Sequence, residues 1–235
     1  MLCAISLLPP AAQAAGLRGS GQVATEKRTV PEFQAIALSG DMELVVRQGA
    51  QAVEVSADDN LLPLLEAVVE PGRDGATLQL GWKKGEWGSY DSPQTSSRVR
   101  VSVSVPKLSA LVTGGSGNTT LEAFNTPALR VAVAGSGNTR LQGLATADLN
   151  IAVSGSGHVS GSGSATRLTI RIAGSGDTRL ADMQADDVQV SMAGSGNAAV
   201  NAGKTLKVSI AGSGDVGYSG QAVVTSSVAG SVRKR

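Results

Sequence analysis

The sequence predicts an all-β protein, a parallel β-solenoid built from coils of roughly 20 residues. Three observations predict this fold. A Gly-Ser-Gly tripeptide recurs along the second half of the chain, and apolar residues alternate strictly with polar ones before each copy. The 235 residues also include 30 glycines but only 2 Trp, 2 Tyr and 2 Phe, with an apolar content of 41%. This composition favours a thin and regular β core over a helical bundle.

Six copies of this tripeptide are followed by Asn, Asp or His. A chain that turns sharply beside an identical neighbour needs residues that tolerate positive φ and carry no bulk. We therefore expect a structural corner at each copy, where Gly allows the turn and Asn or Asp is the next best turn residue. The first glycines and the residues after the motif form a corner ladder of Gly115, Gly135, Gly155, Gly174, Gly194, Gly212, Asn118, Asn138, His158, Asp177, Asn197 and Asp215.

Strands are predicted on both sides of each corner. Leu149, Ile151 and Val153 alternate with polar residues before one corner, and this period of two indicates a strand with one buried face. A shorter strand follows each corner, with an aliphatic residue such as Leu141 at matching positions. Each coil should therefore run strand, corner, strand and loose return, and the aliphatic positions should stack into ladders that form the core.

The first half of the chain carries the same pattern less regularly. Residues 35–49 contain a strand, a Ser-Gly-Asp corner and a second strand. Asp58 and Asp59 precede an apolar segment, where we expect them to cap a short helical turn. An irregular, aromatic-rich excursion then interrupts one coil at residues 81–97, and regular coiling is expected to resume near Leu111.

The N-terminus predicts export. Residues 1–15 form a short apolar run that ends in Ala-Gln-Ala, which is typical of a signal-peptidase site, with cleavage expected after Ala14 or Ala15. The run is too short to anchor the chain in a bilayer, so no membrane-spanning segment is expected after its removal. The mature chain would also lack Cys3, the one cysteine, and with it any disulfide or thiolate metal site. Residues 16–29 are interpreted as a linker.

Other chemical uses of a glycine-rich repeat do not fit. A phosphate-binding loop or a nucleophile elbow leads into a helix, whereas each corner here leads into a strand. A calcium roll repeats about every nine residues and needs several carboxylates, but only Asp177 and Asp215 in the ladder are acidic. We therefore expect no cofactor and no metal. The formal net charge of +1 gives no electrostatic footprint for nucleic acid.

The repeated xVxVAGSGNxxL pattern, preceded by LSGDMELVVRQG and closed by VTSSVAGSVRKR, resembles the family known as “putative auto-transporter adhesin, head GIN domain” (DUF2807). The resemblance covers residues 30–235. It implies an exported bacterial protein with a single-stranded right-handed parallel β-helix, and it brings no catalytic residues. The final AGSV lacks the second glycine, so the last coil need not turn.

A localised function is expected where the repeat is interrupted. Exposed aromatic residues beside charges are typical of patches that contact sugars or proteins. The alternative is that these rings cap the end of the solenoid and shield its ladders from water. The candidate patch in the excursion comprises Trp82, Lys83, Lys84, Trp87 and Tyr90.

The sequence thus predicts a non-catalytic adhesion or ligand-binding module of the cell envelope, in the periplasm or at the cell surface. Its partner would be a surface glycan or a protein, and a homo-oligomer is also open. One alternative is a purely structural envelope scaffold. A polysaccharide-active β-helix enzyme is less favoured, because acid–base catalysis needs two carboxyl groups near one bond, and strand alternation should separate the adjacent Asp186 and Asp187.

Overall fold

A computed structural model describes residues 18–83 and 93–235, and these ranges contain seventeen β-strands and one 3-10 turn at Leu62–Leu64. Within these ranges no helix is long and apolar enough to cross a membrane. The first seven strands are β1 Val23–Lys27, β2 Ala35–Ser39, β3 Glu43–Gln48, β4 Ala52–Asp58, β5 Leu65–Gly72, β6 Gly75–Trp82 and β7 Arg100–Val105. The other ten are β8 Ala110–Gly115, β9 Asn118–Glu122, β10 Asn125–Gly135, β11 Asn138–Gly155, β12 His158–Gly174, β13 Thr178–Gly194, β14 Asn197–Gly212, β15 Asp215–Ser219, β16 Val223–Val228 and β17 Ser231–Lys234.

The strands from β8 onward stack in parallel as coils of about 20 residues, so the predicted β-solenoid is confirmed, with about six turns. The register is set by the corners, since Gly135 pairs with Gly155 and Gly155 with Gly174. This register keeps every apolar position above its equivalent. A slip by one residue would move the whole apolar set of a strand to the solvated face.

The core lies inside the coils and consists of the predicted aliphatic ladders. Leu149, Ile151 and Val153 are buried, and they pair in register with Leu168, Ile170 and Ile172 of the next coil. The outward residues between them are polar or small. Alternation in the sequence therefore determines which residues form the core.

The return segments are not loose, and in this respect the prediction is wrong. The strand β11 continues from one corner to the next, and its return residues Ala145 and Thr146 pair with Ser164 and Ala165. A register shift between Leu141 and Leu144 marks the bend. Because backbone groups of stacked coils lie at matching heights, they can pair around the whole circumference, and a bulge is enough to turn the strand.

The N-terminal half is one continuous part of the same stack. The coil formed by β2 and β3 lies between the coil of β6 and β7 and the coil of β8 and β9. Antiparallel strands cover the outer side, with β5 on β6, β4 on β7 and β1 on β4. Residues 23–27, which we expected in a linker, are thus a strand of this cap. The excursion lies between β6 and β7, which form the outermost coil.

The C-terminal end has no such cover in the part of the chain that the structure describes. There β16 pairs with β14 and β17 pairs with β15, both in parallel. Ser226 is in register with the buried Val208, and Lys234 with Tyr218. Polar residues therefore occupy two core register positions in the last coil, while Val224, Val228 and Val232 occupy the other three.

Candidate functional site

The corner glycines are required by the backbone. All six first glycines have φ between +94° and +142°, a region that L side chains rarely adopt. A Cβ on Gly174 would lie 2.5 Å from the carbonyl oxygen of Gly155 in the coil below. The second glycine of each corner is also confined: a Cβ on the buried Gly157 would lie 2.6 Å from the oxygen of Gly137. Stacking at the corner thus leaves no room for a side chain at either position.

The residues after the corners do not act as turn residues, which corrects our expectation. Each begins the strand after a corner or lies just before it, and among the described residues Ala123 is the non-glycine with positive φ. Their side chains instead hydrogen-bond between coils. The Asn138 amide donates to Asn118 Oδ1 at 3.0 Å, and the Asn197 amide donates to Asp177 Oδ1 at 3.0 Å. The glycines alone supply the turn, so the next position is free to form a polar ladder.

Two parallel rows of side chains therefore face solvent on the sheet formed by the strands after the corners, which we call the post-corner face. The first row is the polar ladder. The second row lies two residues further along each strand and comprises Val45, Thr120, Arg140, Ser160, Arg179, Ala199, Gly217 and Arg233. The two rows run side by side along the solenoid axis.

A groove of about 600 Å³ lies on this face near its C-terminal end, and we call it the arginine groove. Ala199 and Gly217 of the second row form its floor, since they have little or no side chain. Arg179 stands on one side, and Arg233 and Arg235 stand on the other. A Cβ on Gly217 would lie 2.5 Å from Nε of Arg235, so the guanidinium group lies directly over this glycine.

The charge of the groove is predominantly positive. Arg179 donates to Asp177 Oδ2 at 3.2 Å, and Asp215 accepts a hydrogen bond from the Ser231 hydroxyl. Within the described residues, no ion pair involves Arg233 or its neighbours Lys234 and Arg235, each of which is exposed. The groove thus has two carboxylates that are already engaged and three arginine side chains, Arg179, Arg233 and Arg235.

A second candidate region is the base of the excursion. Because Leu80 pairs with Leu38, Trp82 stands in the position that Gly40 and the corner glycines occupy in other coils. The indole Cδ1 would be 3.7 Å from a Cβ on Gly40, and the ring is partly buried against the core. This packing favours the capping interpretation for Trp82. Of the other residues in the candidate patch, Lys83 is exposed, and Lys84, Trp87 and Tyr90 lie outside the described residues.

Asp58, at the end of β4, anchors the far limb of the excursion. Its side chain is fully buried. It accepts hydrogen bonds from the Ser96 amide at 2.9 Å, the Ser97 amide at 3.2 Å and the Ser97 hydroxyl at 3.0 Å. The amide of Gly21 donates a fourth at 3.1 Å. One carboxylate therefore joins the excursion, the N-terminal segment and the cap.

These bonds also determine the protonation of Asp58. Burial acts to raise the pKa of its carboxyl, but the four hydrogen bonds, led by those from Ser97 and Ser96, outweigh burial and lower the pKa. The group is therefore ionised at neutral pH. It does not cap the 3-10 turn, whose N-cap residue Leu61 receives no side-chain bond, so that prediction is wrong. Hydrogen-bond donors distant in sequence bind this carboxylate instead.

The N-terminal segment strengthens this anchor. The amide of Gly19 donates to the Gln94 carbonyl at 2.8 Å, and the Ser96 hydroxyl donates to the Gly19 carbonyl at 2.7 Å. The side-chain Nδ2 of Asn60 donates to the Arg18 carbonyl at 2.9 Å. The C-terminal limb of the excursion is thus fixed to two other segments, and we call this group of contacts the excursion anchor.

Clustered acidic side chains are the remaining candidates for catalysis or metal binding. Residues 18–83 and 93–235 contain no group of three or more His, Cys, Asp or Glu side chains that could hold a metal ion. Asp186 forms an ion pair with Lys204 at 3.0 Å, while Asp187 accepts a hydrogen bond from Thr205 at 2.6 Å. Asp186 and Asp187 therefore interact with different partners in the return segment of the next coil.

The arginine groove was not predicted from the sequence, where the one candidate patch lay in the excursion. The signal was present in part, because aligning the repeats two positions past the ladder brings Arg140 and Arg179 into one row with Ala199 and Gly217. Arg233 joins this row because the last corner is two residues shorter, with Val228 opposite Ile210 and Ser231 opposite Asp215. The excursion anchor, by contrast, gave no local signal, since Asp58 and Ser97 are far apart in sequence.

The family model described as “Putative auto-transporter adhesin, head GIN domain” (DUF2807) matches residues 32–222. No curated protein matches the chain. Solved structures do match it over nearly its whole length. A protein from Bacteroides fragilis described as a putative adhesin is 21% identical with a TM-score of 0.82, and the match covers 94% of this chain and 100% of that one.

Two proteins from Parabacteroides are also similar. One from P. distasonis, described as a putative lipid binding protein, is 23% identical with a TM-score of 0.72, covering 93% of this chain and 99% of the other. One from P. merdae, described as a putative adhesin, is 20% identical with a TM-score of 0.69, covering 93% and 98%. At these identities the likeness establishes a shared fold.

Proposed function

Since residues 32–222 match its model, the chain belongs to the head GIN domain family, and on this premise we propose that it is an exported, non-catalytic ligand-binding module of the bacterial cell envelope. The names of the similar proteins support contact with other molecules, two being described as putative adhesins and one as a putative lipid binding protein. Neither the family name nor these descriptions refers to an enzyme. The partner we propose is a surface glycan or a protein.

The observation that carries this proposal is the position of the excursion. Among the coils that the structure describes, the stack of tight corners is interrupted once, between Trp82 and Arg100. The insertion starts beside the indole that covers Gly40 and returns through the excursion anchor. Rigid scaffolds with one long, anchored loop are a common arrangement for binding, because the scaffold limits the conformational freedom of the loop.

The test compares two double variants. Trp87→Ala/Tyr90→Ala removes the aromatic residues of the excursion but leaves Trp82, which packs on the corner. The matched control, Val223→Ala/Val228→Ala, trims two exposed apolar side chains at the opposite end of the molecule. Binding of the purified protein would be measured on a glycan array and on immobilised bacterial cells. We expect the aromatic variant to bind about tenfold more weakly and the control to match the wild type.

Other outcomes point elsewhere. If the aromatic variant binds as the wild type does, the excursion is not the binding site. If the wild type binds neither surface, the structural scaffold becomes the better account, and the packing of Trp82 on Gly40 favours it. Release of sugars from either surface would instead support the polysaccharide-active enzyme.

Export has its own test. Expression of the complete chain in a Gram-negative host should place it outside the cytoplasm, and mass spectrometry should show a mature N-terminus after Ala14 or Ala15. A protein that stays in the cytoplasm with Met1 in place would contradict the proposal.

A further inference from the structure

We propose that the arginine groove binds an acidic polysaccharide, with Arg179 and Arg233 contacting carboxylate or sulfate groups along one chain. The inference rests on the proposed ligand-binding role and names a ligand class for it. It concerns a different surface from the excursion. The excursion lies at the N-terminal end of the stack, whereas this groove lies at the C-terminal end of the post-corner face.

The groove has the form of a bounded channel. Arg179 and Arg233 belong to the same outward row and are separated by Ala199 and Gly217, the smallest residues in that row. On one side runs the polar ladder of Asp177, Asn197 and Asp215, whose amide and carboxylate groups can hydrogen-bond to sugar hydroxyls. Small floor residues with polar and cationic walls suit a hydrophilic chain lying flat on the sheet.

The cations are suited to anion binding. A guanidinium group presents several N–H donors in a plane and binds carboxylate or sulfate oxygens in pairs. Arg179 is held by Asp177, which orients it without neutralising the groove as a whole. Arg235 is held over Gly217, and its backbone amide donates to the Tyr218 carbonyl at 2.8 Å. Two of the arginines are therefore oriented before any ligand arrives, which lowers the entropy lost on binding.

The spacing along the axis favours a linear ligand with repeated charge. Coils are stacked at about 4.8 Å, so Arg140 lies about 10 Å from Arg179 and Arg179 about 14 Å from Arg233 along the row. A single phosphate or carboxylate could engage one of these residues. A polymer with anionic groups at intervals can engage several at once and gain from effective concentration.

A recessed site on a rigid sheet also favours a polysaccharide over a membrane surface. The floor residues Ala199 and Gly217 belong to neighbouring coils, and neither has a side chain larger than a methyl group to insert into lipid. Peripheral membrane binding usually combines basic residues with inserted Trp, Phe or Leu side chains. Among the residues that line this groove, no such side chain occurs.

The experiment uses the complete protein and four probes: polygalacturonate for carboxylate, dextran sulfate for sulfate, neutral dextran, and phosphatidylglycerol vesicles. We expect binding to one or both acidic polymers, none to neutral dextran, and weakening with added salt. Arg179→Gln/Arg233→Gln should reduce the affinity for the acidic polymer about tenfold. Arg47→Gln/Arg100→Gln makes the same charge change on the same face, near the other end, and should change affinity less than twofold.

A third variant, Ala199→Glu, keeps every arginine and places a carboxylate in the floor, and it should also weaken binding about tenfold. Circular dichroism would establish that each variant is folded. If Arg179→Gln/Arg233→Gln and Arg47→Gln/Arg100→Gln reduce the affinity for the acidic polymer equally, the inference would be overturned in favour of general charge attraction. If the protein binds vesicles more tightly than both polymers, and Arg179→Gln/Arg233→Gln abolishes that binding, the ligand would instead be a membrane. If only Trp87→Ala/Tyr90→Ala reduces binding to the acidic polymer, the groove would be rejected but the proposed function would stand.

Discussion

The two ends of this solenoid are closed in different ways. At the N-terminal end, the antiparallel strands β4 and β5 pair with the outermost coil, and β1 pairs with β4. Trp82 covers Gly40, and Asp58 joins three segments. At the C-terminal end, the last coil of the described chain pairs on one side, and polar residues occupy core register positions.

The difference shows two solutions to one problem. A parallel stack leaves an unpaired edge and an open core at each end, and such edges promote aggregation. Extra strands at the N-terminus pair the edge and cover the core. At the C-terminus Ser226 and Lys234 instead interrupt the apolar ladder, which Val224, Val228 and Val232 continue. Between the ends, each coil is stabilised by pairing with its neighbours, and the glycine positions of its corner admit no side chain.

The largest expected effect comes from breaking a corner between the two ends. Gly174→Ala places a Cβ 2.5 Å from the Gly155 oxygen at a φ of +124°. We expect a loss of about 3 to 5 kcal/mol in unfolding free energy, since strain and steric overlap combine. Chemical denaturation followed by circular dichroism measures it.

Gly203→Ala is the matched control. Its Cβ would be 3.5 Å from the nearest atom, the oxygen of Ala185, and its φ is not positive. We expect a change within about 0.5 kcal/mol. If both variants lowered the unfolding free energy by similar amounts, this would contradict the view that the corner glycines in particular are required for stacking.

Sequence reasoning predicted the repetitive half well because each coil repeats the same local pattern. The alternation around Ile151 and the glycines at Gly135 and Gly155 determine the strand faces, the corners and the register. It failed where pairing is not local. Nothing near Asp58 indicates that Ser96 and Ser97 will bind it, and nothing near Val23 indicates an antiparallel partner in β4. The continuous return strands were missed because their residues alternate poorly, although backbone pairing needs no such pattern.

A smaller effect, confined to the N-terminal end, should follow from removing the charge of Asp58. Asp58→Asn replaces an acceptor of four hydrogen bonds by an amide that cannot accept them all. At pH 7 we expect the thermal midpoint to fall by several degrees. Because the pKa of Asp58 is lowered by folding, its ionised form stabilises the protein above the unfolded pKa of about 4. That stabilisation is lost as the pH falls through the lower, folded value.

The difference between wild type and Asp58→Asn should therefore be largest near neutral pH and shrink below about pH 4. Thermal denaturation monitored across this range provides the measurement. Asp182→Asn, at an exposed carboxylate with no side-chain hydrogen bond among the described residues, should leave the midpoint unchanged. If the difference in thermal midpoint between wild type and Asp58→Asn did not change with pH, the charge of Asp58 would not contribute to stability at the excursion anchor.

The smallest effect is expected at His158, the position where the polar ladder departs from Asn and Asp. Its Nδ1 lies 3.7 Å from Asp177 Oδ2 and accepts a hydrogen bond from the Asp177 amide at 3.3 Å, a long contact. His158→Asn would allow an amide ladder from Asn118 through Asn138 to Asp177. We expect the unfolding free energy to rise by at most about 0.5 kcal/mol, since the side chain is partly exposed.

Asn138→Ala is the companion variant, because it removes one such bond and should lower the unfolding free energy by about 0.5 kcal/mol. Both values would come from denaturation midpoints measured with equal slopes. A loss above about 1.5 kcal/mol in His158→Asn would show that histidine has a role of its own. A small gain would show that the position after each corner adjusts the ladder, while the glycines before it hold the coils together from one end of the solenoid to the other.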